Sequence, residues 1–189
     1  MNNSINYTTQ NELLLNNLMD FYKEENYLSR MLKIITGESK ISLRIVDWFA
    51  TNYAKKYYTL YPIIETSGLT RRFKVYFDYK LKLKAYSKKR FDPFCRWERI
   101  SIPYKNGTYI ETTIGQLNFF KWAIENKVIE YIEDNYETIE KDMNSRNSTS
   151  KRKEIITDNS KTRKKREELS ISATKSIKKE EVEIVVKFH

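Results

Sequence analysis

The chain reads as an α+β domain on three observations. Apolar residues recur at intervals of three and four through 11–57, apolar and charged residues alternate strictly over 73–86, and an Asn-Gly pair separates two β-rich arms at 99–114. The expected order is N-terminal helices, a small antiparallel sheet, a helical segment and a basic tail.

Residues 1–10 read as a flexible lead-in to a single domain spanning 11–143. In NELLLNNLMDFYKEENYLSRMLKIIT, Leu14, Leu18, Phe21, Leu28, Leu32 and Ile35 form one helical stripe that breaks near Glu25–Tyr27 and stops at Gly37. Ser39 is positioned to cap a second helix, in which Leu43, Val46, Ala50 and Tyr53 share a stripe beside Ile45 and Phe49. Pro62 and Gly68 close this region.

The stretch FKVYFDYKLKLKAY places Phe73, Val75, Phe77, Tyr79, Leu81, Leu83 and Ala85 against Lys74, Tyr76, Asp78, Lys80, Lys82, Lys84 and Tyr86. A period of two predicts a long amphipathic strand over about 72–86, with the odd side facing a core. Asn106-Gly107 then predicts a hairpin over about 99–114, its first arm an edge strand because of Pro103. Thr113 and Gln116 make a capping box for a helical segment over about 114–142, with Leu117, Phe120, Ile124, Val128 and Ile132 on one face. Residues 144–168 are polar and basic and read as a disordered linker. In the C-terminal segment 169–189, Val182, Ile184, Val186 and Phe188 read as a strand over 182–188.

Charge is concentrated. The net charge is +10, and residues 70–105 hold twelve Lys/Arg against Asp78, Asp92 and Glu98, while residues 145–179 hold twelve against four acids. Residues 106–144 run the other way, with three Lys against eight Asp/Glu. Two basic blocks flanking an acidic one favour polyanionic partners. With no signal-type leader and no run of 18 apolar residues, the chain reads as soluble and intracellular, with no membrane partner.

Several chemistries are disfavoured. The single histidine is His189 and the single cysteine Cys95, too few for a Ser-His-Asp apparatus or a zinc site, and the four glycines form no phosphate-cradling loop. No cofactor, metal or catalytic residue is expected, and the reading is non-enzymatic; Asp78 and Asp92 are the acids a divalent-metal phosphoryl-transfer reaction would need, but their spacing matches no metal motif. Cys95, among Arg90, Arg96 and Arg99, reads as a small buried apolar residue rather than a reactive thiol. Trp48, Trp97 and Trp122 read as core anchors.

On a strand, Lys80, Lys82 and Lys84 would stand ~6.7 Å apart, with Lys74 on the same side and Tyr76 and Tyr86 offering rings for stacking. Lys88, Lys89 and Arg90 prolong the charge into the following segment, and Arg163, Lys164, Lys165 and Arg166 form a second, tail-borne patch. A row of lysines serves either to solvate the outer face of a sheet or to bind phosphates, DNA or RNA. The competing reading is an interaction module, in which the acidic segment at 125–142 and the basic sheet dock other proteins or a second copy in a homo-oligomer.

The segments SLRIVDWFATNYAKKY, KLKAYSKKRFDPFCRWERI, TTIGQLNFFKWAIENKVIEYI and KKREELSISATKSIKKEEVEIVVKF resemble an uncharacterised family of small basic proteins from nucleocytoplasmic large DNA viruses, the mimivirus-like giants in particular. The resemblance implies a setting: an infected cell, with the virion core or host cytoplasm as the place of action and other viral proteins as candidate partners; the block Lys161–Arg166 adds the nucleus, because it reads as a nuclear-localisation or polyanion-binding patch. The resemblance assigns no residue a role.

Overall fold

The computed structural model describes residues 9–65, 67–96, 98–156 and 179–180. It is an α+β fold. Helices α1 (Gln10–Tyr22) and α2 (Glu25–Thr36) come first. Thr9 caps α1 through a reciprocal box with Glu12, and Gly37, at φ 81°, ends α2 in the left-handed region that glycine tolerates. The break between them falls at Lys23–Glu24, slightly ahead of the expected Glu25–Tyr27.

Ser42, not Ser39, caps α3 (Leu43–Trp48) by accepting from the Ile45 amide at 3.3 Å. Ser39 instead accepts from the Ile41 amide and shapes the preceding turn. Helix α3 passes through a π-helical turn, Phe49–Tyr53, into α4 (Ala54–Lys56). The stripe read from the sequence is inside: Leu43, Ile45, Val46, Phe49, Ala50 and Tyr53 are all buried.

Strands β1 (Leu60–Ile64) and β2 (Thr70–Lys74) then form a hairpin that the sequence reading missed. Gly68, at φ 79°, sits in its turn, where the Glu65 amide donates to the Leu69 carbonyl.

The expected long strand over 72–86 is corrected here: β2 ends at Lys74, and Val75–Phe91 form helix α5. The cause is a missing partner. Leu60, the first residue of β1, pairs with Lys74, so no strand lies opposite Val75 and beyond. Backbone amides without a ladder must be satisfied elsewhere, and a segment with five lysines, Leu81, Leu83 and Ala85, all good helix formers, satisfies them within a helix. The Val75 amide makes the switch, donating to the Thr59 carbonyl at 3.3 Å. Val75 and Tyr79 are buried, whereas Phe77 and Leu81, which a strand would have turned inward, are 59% and 66% exposed.

The second hairpin is as expected. β3 (Arg99–Pro103) pairs with β4 (Tyr109–Thr113) around a turn at Lys105–Gly107, and β3 is an edge. A short strand β5 (Lys179–Glu180) pairs with the other side of β4; the expected strand 182–188 lies outside the described residues. Thr113 caps α6 (Ile114–Glu125) by accepting from the Gln116 amide. After it come α7 (Val128–Asp134) and α8 (Tyr136–Ile156), the last continuing into the stretch read as a linker.

Helix α6 is the axis of the core, with Leu117, Phe119, Phe120 and Ala123 fully enclosed. Helix α1 reaches it through Tyr22, whose hydroxyl donates to the Leu117 carbonyl at 2.7 Å. Helix α5 packs so tightly on its start that a Cβ on Gly115 would lie 2.8 Å from the Asp92 carbonyl oxygen. Among the described residues, no helix is long and apolar enough to cross a membrane.

Candidate nucleic-acid interface

Helix α5 presents two unlike faces. Its inner face is aromatic: Tyr79 and Phe91 pack with Phe119 and Trp122 of α6, ring centroids 5.6–6.4 Å apart. The Trp122 indole donates to Asp78 Oδ1 at 2.7 Å, and Asn118 Nδ2 donates to the Arg90 carbonyl at 2.8 Å. These bonds fix the rotation of α5, so its outer face is fixed as well.

That outer face carries Lys80 and Lys84, both exposed, and Lys88 is exposed just beyond it. Lys80 and Lys84 are one turn apart, a rise of ~6 Å. Lys88 follows a kink at Ser87, where φ 64° and ψ 168° put a serine in a region that glycine ordinarily occupies. No carboxylate among the described residues lies within ion-pair distance of Lys74, Lys80, Lys82, Lys84 or Lys88.

The helix regroups the residues read as one cationic ribbon. Lys82 turns away from Lys80 and Lys84 and is half-buried, so the row of three on one strand face does not exist. Lys74 is exposed at the end of β2, beside a groove rather than in line with α5. Lys89 is exposed at the far end of the helix, and Arg90, half-buried, is engaged with Gln10 Oε1 at 2.8 Å. Tyr86 stacks on Phe91, centroids 6.1 Å apart at 18°, and belongs to the edge of the core. Tyr76 is half-buried and lines the groove, with Lys55 Nζ 5.7 Å from its ring centroid. Arg163, Lys164, Lys165 and Arg166 lie outside the described residues, as does Trp97.

The groove opens between the end of α4, the start of β1 and the first turn of α5, with a volume of about 350 Å³. Its lining includes Lys55, Tyr58, Leu60, Lys74, Tyr76 and Phe77. Lys55, Tyr58 and Phe77 were missed from sequence. The signal for Phe77 was its i, i+4 relation to Leu81, visible once the segment is wound as a helix; Tyr58 carried no such signal.

The remaining candidates have structural partners. Asp92 Oδ1 accepts from the Phe94 amide at 2.9 Å, and Asp78 is taken by Trp122, so both acids weighed for phosphoryl transfer hold the fold. Asp47, half-buried on α3, has its carboxyl pushed up to about 7, first by burial and then by the Asp92 carboxylate. Cys95 is half-buried, less enclosed than expected. Trp122 is buried as expected, and Trp48 is half-buried with its indole donating to Asp142 Oδ2 at 3.1 Å.

Comparison with known proteins places the chain. It is 46% identical over 148 residues to the uncharacterized protein L507 of Acanthamoeba polyphaga mimivirus, an alignment covering 76% of this chain and 56% of the relative. The chain thus spans little more than half the length of that relative. No solved structure matches it. Residues 1–188 match DUF7197, and the chain belongs to this family of unknown function.

Proposed function

We propose that the protein is non-enzymatic and binds nucleic acid through phosphate contacts with little sequence specificity, as a virion-core or genome-associated protein. The supporting observation is the set of exposed lysines on and beside α5, Lys74, Lys80, Lys84 and Lys88, none with a carboxylate partner among the described residues. Like charges near one another repel, and an anionic partner relieves that repulsion while releasing counterions.

Lysine is a flexible point charge, suited to phosphate and less pre-organised than arginine's planar fork for reading base edges. Low specificity follows from that chemistry. Lys82, Lys89 and Arg90 flank the footprint, and the block Lys161–Arg166 adds a second basic segment in sequence. The mimivirus relative is consistent with a viral setting.

The test is an anisotropy titration of a labelled DNA duplex with wild type and with the Lys80→Gln/Lys84→Gln/Lys88→Gln variant. Weaker binding by the variant at unchanged thermal stability is expected; equal binding overturns the proposal.

A further inference from the structure

The largest exposed apolar side chains are not scattered. Tyr57, Tyr58, Leu60, Ile64, Leu69, Phe77 and Leu81 all fall within the α4–β1–β2–α5 region, while Leu13 and Tyr109 lie elsewhere. Exposed apolar side chains concentrated in one region of a folded chain mark a place of contact. Tyr58, Leu60 and Phe77 of this set line the groove described above.

Two details define what that groove accepts. Its aromatic members are Tyr58, Tyr76 and Phe77, the first 77% exposed and the last 59%. Tyr58 is held at φ 49°, a left-handed conformation costly for a bulky side chain. The turn that imposes it is well anchored: the Tyr57 amide donates to the Tyr53 carbonyl, the Thr59 amide to the Ala54 carbonyl, and the Val75 amide to the Thr59 carbonyl. The left-handed turn that ends α4 thus leaves the Tyr58 ring in solvent at the lip of the groove. The second detail is charge, since Lys55 and Lys74 belong to the lining and no carboxylate does.

We propose that this groove receives an unstacked base of a single-stranded nucleic acid, stacked against the Tyr58, Tyr76 and Phe77 rings, with the adjoining phosphates on Lys55 and Lys74. This rests on the nucleic-acid reading above and narrows it to single strands. Every base has a π-face, so stacking on protein rings is tolerant of sequence, and lysines beside the rings hold the backbone. The strand has somewhere to go: Phe77 is followed on α5 by Lys80 and Lys84, both exposed. A duplex keeps its bases paired and stacked on one another and gains the lysines alone.

An acidic peptide is the competing occupant. Pro62 within β1 takes an amide out of that strand, which disfavours a peptide added to the sheet as a further strand. The groove's volume suits a base or two better than the successive anchors of an amphipathic helix.

The experiment compares a labelled oligothymidine with a DNA duplex of matched length, titrated with full-length wild type, Tyr58→Ala/Phe77→Ala and Lys80→Gln/Lys84→Gln. Both rings are exposed, and a thermal melt checks that the double variant folds. The ring variant is expected to lose roughly tenfold or more in oligothymidine affinity while duplex affinity stays within about twofold; the lysine variant is expected to weaken both. If the duplex binds as tightly as oligothymidine and the ring variant changes neither, the single-strand assignment fails and phosphate binding stands. If neither nucleic acid binds, both proposals fail. A synthetic Glu/Phe peptide that binds more tightly than oligothymidine, and loses affinity in the ring variant, assigns the groove to a protein partner and overturns the inference.

Discussion

Among the described residues, two groups of cations are built in opposite ways. Around Asp142, which is buried, the cations converge on a carboxylate: Lys56 Nζ lies 2.9 Å away and Arg146 Nη1 3.3 Å, with the Trp48 indole and the Tyr57 hydroxyl completing the set. Burial alone would push the Asp142 carboxyl up, but hydrogen bonds from Lys56, Trp48, Arg146 and Tyr57 outweigh it and hold the group below the ordinary carboxylate range. This hub ties α3 and the end of α4 to α8. On α5, by contrast, Lys80, Lys84 and Lys88 are exposed, and no carboxylate among the described residues lies within ion-pair distance of them. Matched cations serve folding, and unmatched ones add little to it; what the second group contributes is an electrostatic field outside the protein.

Changes at the first group should therefore cost stability. Asp142→Ala removes the acceptor of four donors and should lower unfolding free energy by about 3 kcal/mol in urea denaturation, the low end for a broken buried pair because Lys56 and Arg146 keep access to solvent. The hub's contribution should also fade in acid: with its folded pKa lowered, Asp142 stabilises above its unfolded pKa and ceases to as pH falls through the folded value.

Next in size is Gly115→Ala, whose added Cβ meets backbone oxygens of Asp92 and Lys89 at 2.8 and 3.1 Å. Prying α5 from α6 should cost about 2 kcal/mol, read as a lower thermal midpoint, because neither oxygen can retreat as a side chain would.

Ser87→Gly acts in the other direction. Relieving the φ of 64° should stabilise by about 1 kcal/mol, and unchanged or lower stability would mean that the kink is held for another reason.

The smallest effect belongs to Asp47→Asn. The Asp47 pKa is raised in the fold from an ordinary 3.8 to about 7, so its contribution is full below pH ~4, declines as pH rises and is gone above about 7. The variant should melt about 2 °C above wild type at pH 8 and converge with it toward pH 4, discounted for the partial exposure of the group.

Much of the scaffold was legible because local signals agreed with tertiary demands. Gly37, the stripes of α1–α3, the Asn106-Gly107 hairpin and the Thr113 cap all describe segments whose own pattern matches what packs on them. The stretch 73–86 was misread because its alternation is real and its strand partner is not. Pairing is non-local, and β1 begins at Leu60, which leaves Val75 onward without a neighbour. Winding the same residues as a helix kept Lys80 and Lys84 together, turned Lys82 aside and exposed Phe77. The candidate site is thus half legible: its α5 cations, Lys74 and Tyr76 were named from sequence, but Lys55 and the rings of Tyr58 and Phe77 depend on a turn geometry and a helix that periodicity did not reveal.

The central claim is that the α5 cations are left for a polyanion, and the salt dependence of DNA binding tests it most directly. Wild type should show log affinity falling linearly with log salt, and the Lys80→Gln/Lys84→Gln/Lys88→Gln variant a slope shallower by roughly 2.7, about 0.9 per lysine. Parallel lines for the two proteins would contradict the account.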